Sequence, residues 1–403
     1  MQIDLKIISR IFLIIFIYFL SVAFVGGVTT LPSEGDSVNY HIPIAKNIIN
    51  GNFLQQKDVN AMQVGRWFPG SSEIILAIFI LSQTPLNLFN ILAIIIFAFV
   101  LYNLGLNFLK DRDLSLIFSI SVASLYGIFR LSHTQNIDIW MAIYFLSLIL
   151  LLESPKKTFT YFLKLGFFSG MLIGSKYTGP FLFLILFICY FKDLISLLNF
   201  KKIIVFLIPF SVFGLFWYFR NFLLTGSPFY PRSFLFFKGI PNWFSYLNNP
   251  MWKAIIFTPF DMLNAFVSEF MIWPFLFLII PLFLLFKKHK NKLKDYFRLK
   301  RILIICVFYF ALYLFLPYDT KYLGMVLSMR YTFSLWSLIA LSVFMISRYY
   351  KLEKILSVIL LATSFILFLP NYHPKLVFTY VPFVAIYLLA SFYKDKLKIK
   401  FKK

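Results

Sequence analysis

Apolar runs about as long as a bilayer is thick recur throughout this 403-residue chain, and they limit the fold more than any motif does. Crossing ~30 Å of hydrocarbon takes roughly 20 apolar residues in a helix. Lipid offers no partner to backbone N–H and C=O groups, so spanning segments must be helices or a closed barrel. The runs here are continuous, as in "IFLIIFIYFLSVAFVGGV" at 11–28, without the alternation of a barrel strand. The expected fold class is all-α, a polytopic transmembrane helical bundle. Only 14% of the residues are charged, against about 25% in soluble domains.

The formal charge of +23 does not point to nucleic acid. Most Lys and Arg sit in short loops and at the termini, between apolar runs. That is the footprint of cytoplasmic loops on a membrane protein, with anionic lipid as the attracting surface. Cys189 and Cys306 lie inside apolar runs, so neither a disulfide framework nor a metal knuckle is indicated. The first run is long and lacks a clear small-residue cleavage site, so it reads as a retained span.

Charge also assigns sides. The N-terminus (Lys6, Arg10) starts inside, and 10–28 cross to a polar outer loop at 29–70 whose "NYHIPIAKNIIN" suits a surface helix. Residues 71–108 count as one crossing with an extra partial helix, because two crossings would place every later basic loop outside. Further crossings are expected at 114–131, 139–152 and 203–218, with two short halves, 165–175 and 179–190, flanking an outer turn "GSKYTG". After a long outer loop at 219–264, the crossings continue at 266–286, 302–317, 332–347, 355–369 and 376–392. This makes about twelve crossings, with "KKHKNKLKDYFRLKR" and the basic tail inside and no soluble domain.

On this topology the outer face collects Glu34, Asp36, His41, Arg66 and Glu73 from the first loop, and His133 and Asp138 from the second turn. Lys176 and Tyr177, Arg220 and Asn221, then Asp319, Lys321, Arg330 and Tyr331 join them from later segments. Ionisable groups at or within apolar segments are costly and usually face a cavity or a partner. Carboxylates and cations gathered there suit a substrate with an anionic head and a hydrophobic tail.

The segments "DSVNYHIPIAKNIINGNF", "RWFPGSSEIILAIF", "HTQNIDIWMAIYFLSLILLLE", "GMLIGSKYTGPFLFL" and "GLFWYFRNFLLTGSPFYP" carry a family resemblance. In that order they resemble the polyprenol-phosphate-dependent membrane glycosyltransferases of GT-C type. That superfamily holds the protein O-mannosyltransferases and the aminoarabinose transferase of lipid A. The resemblance covers residues 5 to about 232, with a weaker echo at "MRYTFSLWSLIA". It divides the chain into a glycosyltransferase membrane module at 1–232 and C-terminal transmembrane helices at 233–403. It implies GT-C-like surface helices in the outer loop and a sugar donor on a polyprenyl phosphate, at the outer face of a cytoplasmic membrane. The acceptor is an unspecified glycan, lipid or protein. Asp36 is the implied base, and the family's adjacent carboxylate pair is replaced by Asp36-Ser37 with Glu34 two residues before. Lys176 and Arg330 are the implied phosphate holders, with Tyr177, Tyr331, His41, Glu73 and Arg220 as further substrate contacts. Asp138, with Asp36, is a candidate to hold a divalent metal cation or to orient the acceptor.

Each candidate also has a structural reading. Asp36 and Asp138 suit helix N-caps, Glu34 a solvated turn, and Glu73 a first-turn helix charge. His41 suits an interfacial packed histidine, and Lys176 a side chain snorkelling to headgroups. Arg220 and Arg330 suit interfacial anchors in an aromatic belt. Two other functions compete with glycosyl transfer. A lipid-linked glycan flippase or polysaccharide transporter calls for charges along a midplane cavity between two related halves, and no such repeat is visible. A non-catalytic membrane subunit predicts that Asp36 is dispensable.

Overall fold

The computed structural model describes residues 4–52, 67–154, 158–195, 199–240, 250–277, 280, 296–316 and 322–366. Arg66, Asp319, Lys321, most of the "KKHKNKLKDYFRLKR" loop and the 376–392 hairpin arm lie outside them. The described residues form helices with a single isolated bridge, Phe234 to Phe237.

Helix α1 (Leu5–Thr29) leads to a π-helical turn (Ser37–His41) and α2 (Ile42–Ile49). The chain then makes α3 (Glu73–Leu81), α4 (Phe89–Leu109), α5 (Arg112–Ala123), α6 (Tyr126–Phe129) and α7 (Asp138–Leu152). Next come α8 (Phe159–Ile173), α9 (Gly179–Cys189), α10 (Phe191–Ile195) and α11 (Phe200–Phe210), which runs through a second π turn (Ser211–Leu215) into α12 (Phe216–Thr225). The last part holds α13 (Met251–Phe257), α14 (Pro259–Phe270), α15 (Trp273–Leu276), α16 (Tyr296–Leu314), α17 (Tyr322–Ser328), α18 (Phe333–Tyr349) and α19 (Glu353–Ile366).

Four helical stretches among the described residues are long and apolar enough to cross a membrane: Leu5–Thr29, Leu86–Leu109, Phe200–Thr225 and Gly324–Tyr349. The expected dozen crossings are thus not all matched by helix length. Helix α7 has 15 residues, which at 1.5 Å each span about 22 Å, short of the hydrocarbon thickness. It is apolar all round because it is a core helix, buried along nearly its whole length beside α4, α8 and α18. Helix α3 has nine residues and packs on α2, which agrees with a partial helix ahead of one full crossing at 71–108.

Close backbone approach sets the position of α8. Gly166, Gly170 and Gly174 lie four apart on one face, where small residues let helices meet. A Cβ on Gly170 would stand 2.8 Å from the Pro209 carbonyl oxygen, and Cβ atoms on Gly166 and Gly174 would collide with the Phe206 and Phe213 carbonyls. The Phe213 carbonyl belongs to the π turn, whose extra residue leaves carbonyls without their usual helical partner. Ser71 Oγ donates to that carbonyl and accepts from Trp217 Nε1 at 2.7 Å, while Ser71 N donates to Gly174 O at 2.8 Å. The chain entering α3 is thereby fixed against the end of α8.

Candidate functional site

Four separate helix ends meet at one point. The π turn begins just after Asp36, α7 begins with Asp138, Lys176 sits in the turn between α8 and α9, and Arg330 lies in a 3-10 turn before α18. Asp36 is brought there by polar ties. Ser37 Oγ accepts from Gln135 N at 2.8 Å, and Gln135 Nε2 donates to Leu86 O and Asn87 Oδ1. The polar "HTQN" segment ahead of α7 thus anchors the π turn beside Asp138.

The four charges form a continuous string. Arg330 Nη2 donates to Asp36 Oδ2 at 2.5 Å, and Arg330 Nε lies 3.4 Å from Asp138 Oδ2. Lys176 Nζ donates to Asp138 Oδ1 at 2.6 Å. The Asp138 side chain is 2% exposed and Arg330 9%, while Lys176 is 16% and Asp36 38% exposed. The open ends of the string are therefore one carboxylate and one ammonium. Lys176 and Arg330 also stand over the Tyr331 ring, at 5.0 and 5.6 Å. The structure brings Asp36, Asp138, Lys176, Arg330 and Tyr331 into one cluster, although Arg330 and Tyr331 come from the 233–403 part.

A cavity of about 400 Å³ opens beside the string. Tyr40, Phe68, Phe181, Phe229, Phe234 and Phe315 supply much of its apolar wall, and Lys176, Tyr177, Tyr331, Glu73 and Arg232 its polar points. A smaller pocket of about 20 Å³, lined by Asp138 and Arg330, adjoins it and shares Thr178, Leu312, Leu316 and Tyr331 with it. Asp36 lines neither pocket and reaches the cluster through Arg330. Arg232 was not among the residues singled out in the sequence. Its signal was an arginine directly after "PFYP", inside a polar outer loop.

Deeper in, His41 Nδ1 lies 2.7 Å from Glu73 Oε1, with both side chains fully buried. Burial, with Lys176 and Arg330 nearby, pushes the His41 imidazole well below its usual pKa. It is held neutral because a second cation there would be desolvated and repelled. Glu73 is thus more than a first-turn charge at the start of α3.

The other candidates take structural places. Glu34, not Asp36, caps the turn: its Oε2 accepts from Ser37 N and Ser37 Oγ, both at 2.8 Å. Asp36 itself has helical backbone angles and caps nothing. Asp138 is likewise the first helical residue rather than a cap. Arg220 stays out of the cavity wall. It is buried, donates to Trp67 O at 3.0 Å and to Asn221 Oδ1 at 2.6 Å, and stacks on Trp217. Asn221 Nδ2 binds the same Trp67 carbonyl, and the Tyr177 hydroxyl lies 3.1 Å from it. Arg220 therefore braces the loop that carries Trp67, while Tyr177 does so and also lines the cavity. His133 Nε2 packs on Ala23 O of α1 at 2.8 Å, away from the string.

Asp36 and Asp138 do not fit a divalent metal cation between them. The Arg330 guanidinium holds that place, bonded to one carboxylate and 3.4 Å from the other. Among the described residues no three His, Cys, Asp or Glu side chains gather as a ligand set.

At the other end of α7 lies a second ionic group. Glu153 binds Arg298 at 2.8 Å and Tyr190 hydroxyl at 2.8 Å, with Arg301 at 3.4 Å. One α7 length separates it from Asp138, so the carboxylate-bearing cavity and the basic start of α16 lie at opposite ends of α7.

No family model matches the chain, and no curated protein matches it in sequence. Two solved structures of ArnT from Cupriavidus metallidurans match it in fold. The structure bound to undecaprenyl phosphate gives a TM-score of 0.50 at 12% identity, and the apo structure 0.51 at 11%. Each match covers 93% of this chain and 69% of the other. At that identity the likeness is one of fold alone: this chain shares its helical fold with ArnT.

Proposed function

We propose that this protein is an integral membrane glycosyltransferase that moves a sugar from a polyprenyl-phosphate-linked donor to an acceptor at the outer face of a cytoplasmic membrane. The observation that carries the reading is the string Asp36–Arg330–Asp138–Lys176 beside a 400 Å³ aromatic-walled cavity. The fold shared with a protein solved with undecaprenyl phosphate supports the donor class.

The chemistry follows from which groups are open. Asp36 is the most exposed carboxylate of the string and faces an acceptor arriving from outside. It takes the proton of the acceptor hydroxyl or amine as that atom attacks the anomeric carbon. The bond from that carbon to the phosphate oxygen breaks, and polyprenyl phosphate leaves with the electron pair. Negative charge grows on the phosphate, where Lys176 and Arg232 on the cavity wall, with Arg330 behind, stabilise the transition state more than the ground state. Asp138 is buried under Lys176 and Arg330 and positions both cations. No step runs through a metal.

The test is transfer of labelled sugar from polyprenyl-phosphate donors by the purified protein, with Asp36→Asn alongside. A positioned base contributes about 10²–10⁴-fold, so the variant should lose at least a hundredfold in kcat with its fold unchanged. Full turnover by Asp36→Asn overturns the base assignment. Lipid scrambling without transfer, equal in both proteins, would favour a flippase.

A further inference from the structure

The cavity wall holds two cations, Lys176 and Arg232, and among the described residues that line it Glu73 is the only carboxyl group. Glu73 Oε1 is taken by His41, while Oε2 is buried without a hydrogen-bond partner among the described residues. A buried acceptor left unpaired is costly, so native structures rarely keep one without a partner in its working state. His41 is fully buried itself and fixes the rotamer of Glu73. The residue that carries the unpaired oxygen therefore lines a cavity that also offers cations.

We propose that Glu73, oriented by His41, accepts a hydrogen bond from a hydroxyl of the donor's sugar, making the cavity selective for a glycosyl phosphate over a bare lipid phosphate. This rests on the donor class proposed above and goes beyond it. Lys176 and Arg232 alone would hold any lipid phosphate. Only a head group with an anion at one point and a hydrogen donor at another satisfies both ends of the wall. The selectivity has a use in turnover. Once the sugar has left, the product lacks the group that Glu73 binds, so the spent lipid is held less tightly than the loaded one.

The experiment uses the full chain in nanodiscs and three probes: undecaprenyl phosphate, its glucosyl ester and its mannosyl ester. Leaving a buried acceptor unpaired costs about 1–3 kcal/mol, which over most of that range is tenfold and more in affinity. The protein should bind at least one sugar-bearing lipid at least tenfold tighter than the bare lipid. Glu73→Gln keeps the shape but presents an amide donor where the acceptor was. It should lose most of that preference while bare-lipid affinity stays within about threefold. A second measurement needs no variant: deoxy analogues of the preferred donor should show one hydroxyl whose removal costs the same factor. Preference retained in Glu73→Gln, no sensitive hydroxyl, or no preference in the unaltered protein would each overturn the proposal with the donor class intact. Failure of all three probes to bind would instead remove the donor class itself, and this inference with it.

Discussion

Lys176 does two things at once, and a pair of substitutions separates them. Lys176→Met removes the ammonium 2.6 Å from Asp138, a carboxylate only 2% exposed, and keeps the length of the side chain. Breaking a buried ion pair from one side costs about 3–5 kcal/mol, because the remaining charge is stranded. Here Arg330 stays 3.4 Å from the other Asp138 oxygen, which puts the cost near the lower bound, about 3 kcal/mol. Adding Asp138→Asn takes away the stranded charge, so the double variant should recover about 2 kcal/mol, a coupling within the usual range for contacting residues. Activity should behave differently. Losing one preorganised cation at the leaving phosphate costs about 10²–10³ in kcat, and Asp138→Asn restores nothing there. The assay is a double-mutant cycle read by unfolding in detergent and by sugar transfer. Activity that returns with stability in the double variant would refute the phosphate role and leave Lys176 a structural ion. A single variant retaining a third or more of the kcat would do the same.

Three other outcomes follow from the geometry. Gly170→Ala should destabilise by about 1–3 kcal/mol as an overpacked core substitution, since its Cβ would meet the Pro209 carbonyl at 2.8 Å; Gly35→Ala, whose Cβ would meet only the Asn39 side chain at an ordinary 3.9 Å, should be near neutral, and equal unfolding shifts would refute the packing argument. Glu34→Ala should cost about 1 kcal/mol of stability through the lost cap with kcat nearly intact, the reverse of Asp36→Asn; the opposite ordering would exchange the roles of the two carboxylates. His41 is held neutral, so below the usual imidazole pKa of about 6.5 the unfolded chain takes up a proton that the folded site refuses. The buried Glu73 beside it is raised to about 8 and takes up a proton where His41 refuses one. Stability should therefore change little between about pH 4.5 and 6.5 and fall by up to about 1.4 kcal/mol per unit beneath that window; in a pH series of unfolding midpoints His41→Gln should tilt the flat window, so that stability rises as pH falls through it.

What the sequence disclosed and what it withheld have the same physical origin. Ionisable residues beside apolar runs are expensive unless they meet a partner, so Asp36, Asp138, Lys176 and Arg330 stood out as one group before any contact was visible. Arg220 stood out by the same rule but is satisfied by the Trp67 carbonyl and Trp217, because hydropathy cannot tell a cavity-facing cation from one buried in a brace. Glu34 and Asp36 lie two residues apart in a turn whose π geometry no apolar periodicity encodes; the extra residue decides which carboxylate caps and which reaches Arg330. Helix α7 read as a crossing since its residues are apolar on every face, which is equally the pattern of a helix enclosed by protein.

A cation such as Arg330 contributes to phosphate chemistry only if it is fixed before substrate arrives, since ordering it during the reaction would forfeit the gain. In this fold the fixing is done by groups that never touch substrate. The glycine face of α8 sets where the Lys176 turn emerges, and the Ser71 and Trp67 contacts hold the segment ahead of α3 against it. The Ser37–Gln135 bond then brings Asp36 to Arg330. Substitutions in that support should therefore lower kcat by loosening the string while leaving each charged residue in place. The cost should be greatest at Gly174, where a Cβ would strike the Phe213 carbonyl and Ser71 Oγ at once, two residues from Lys176.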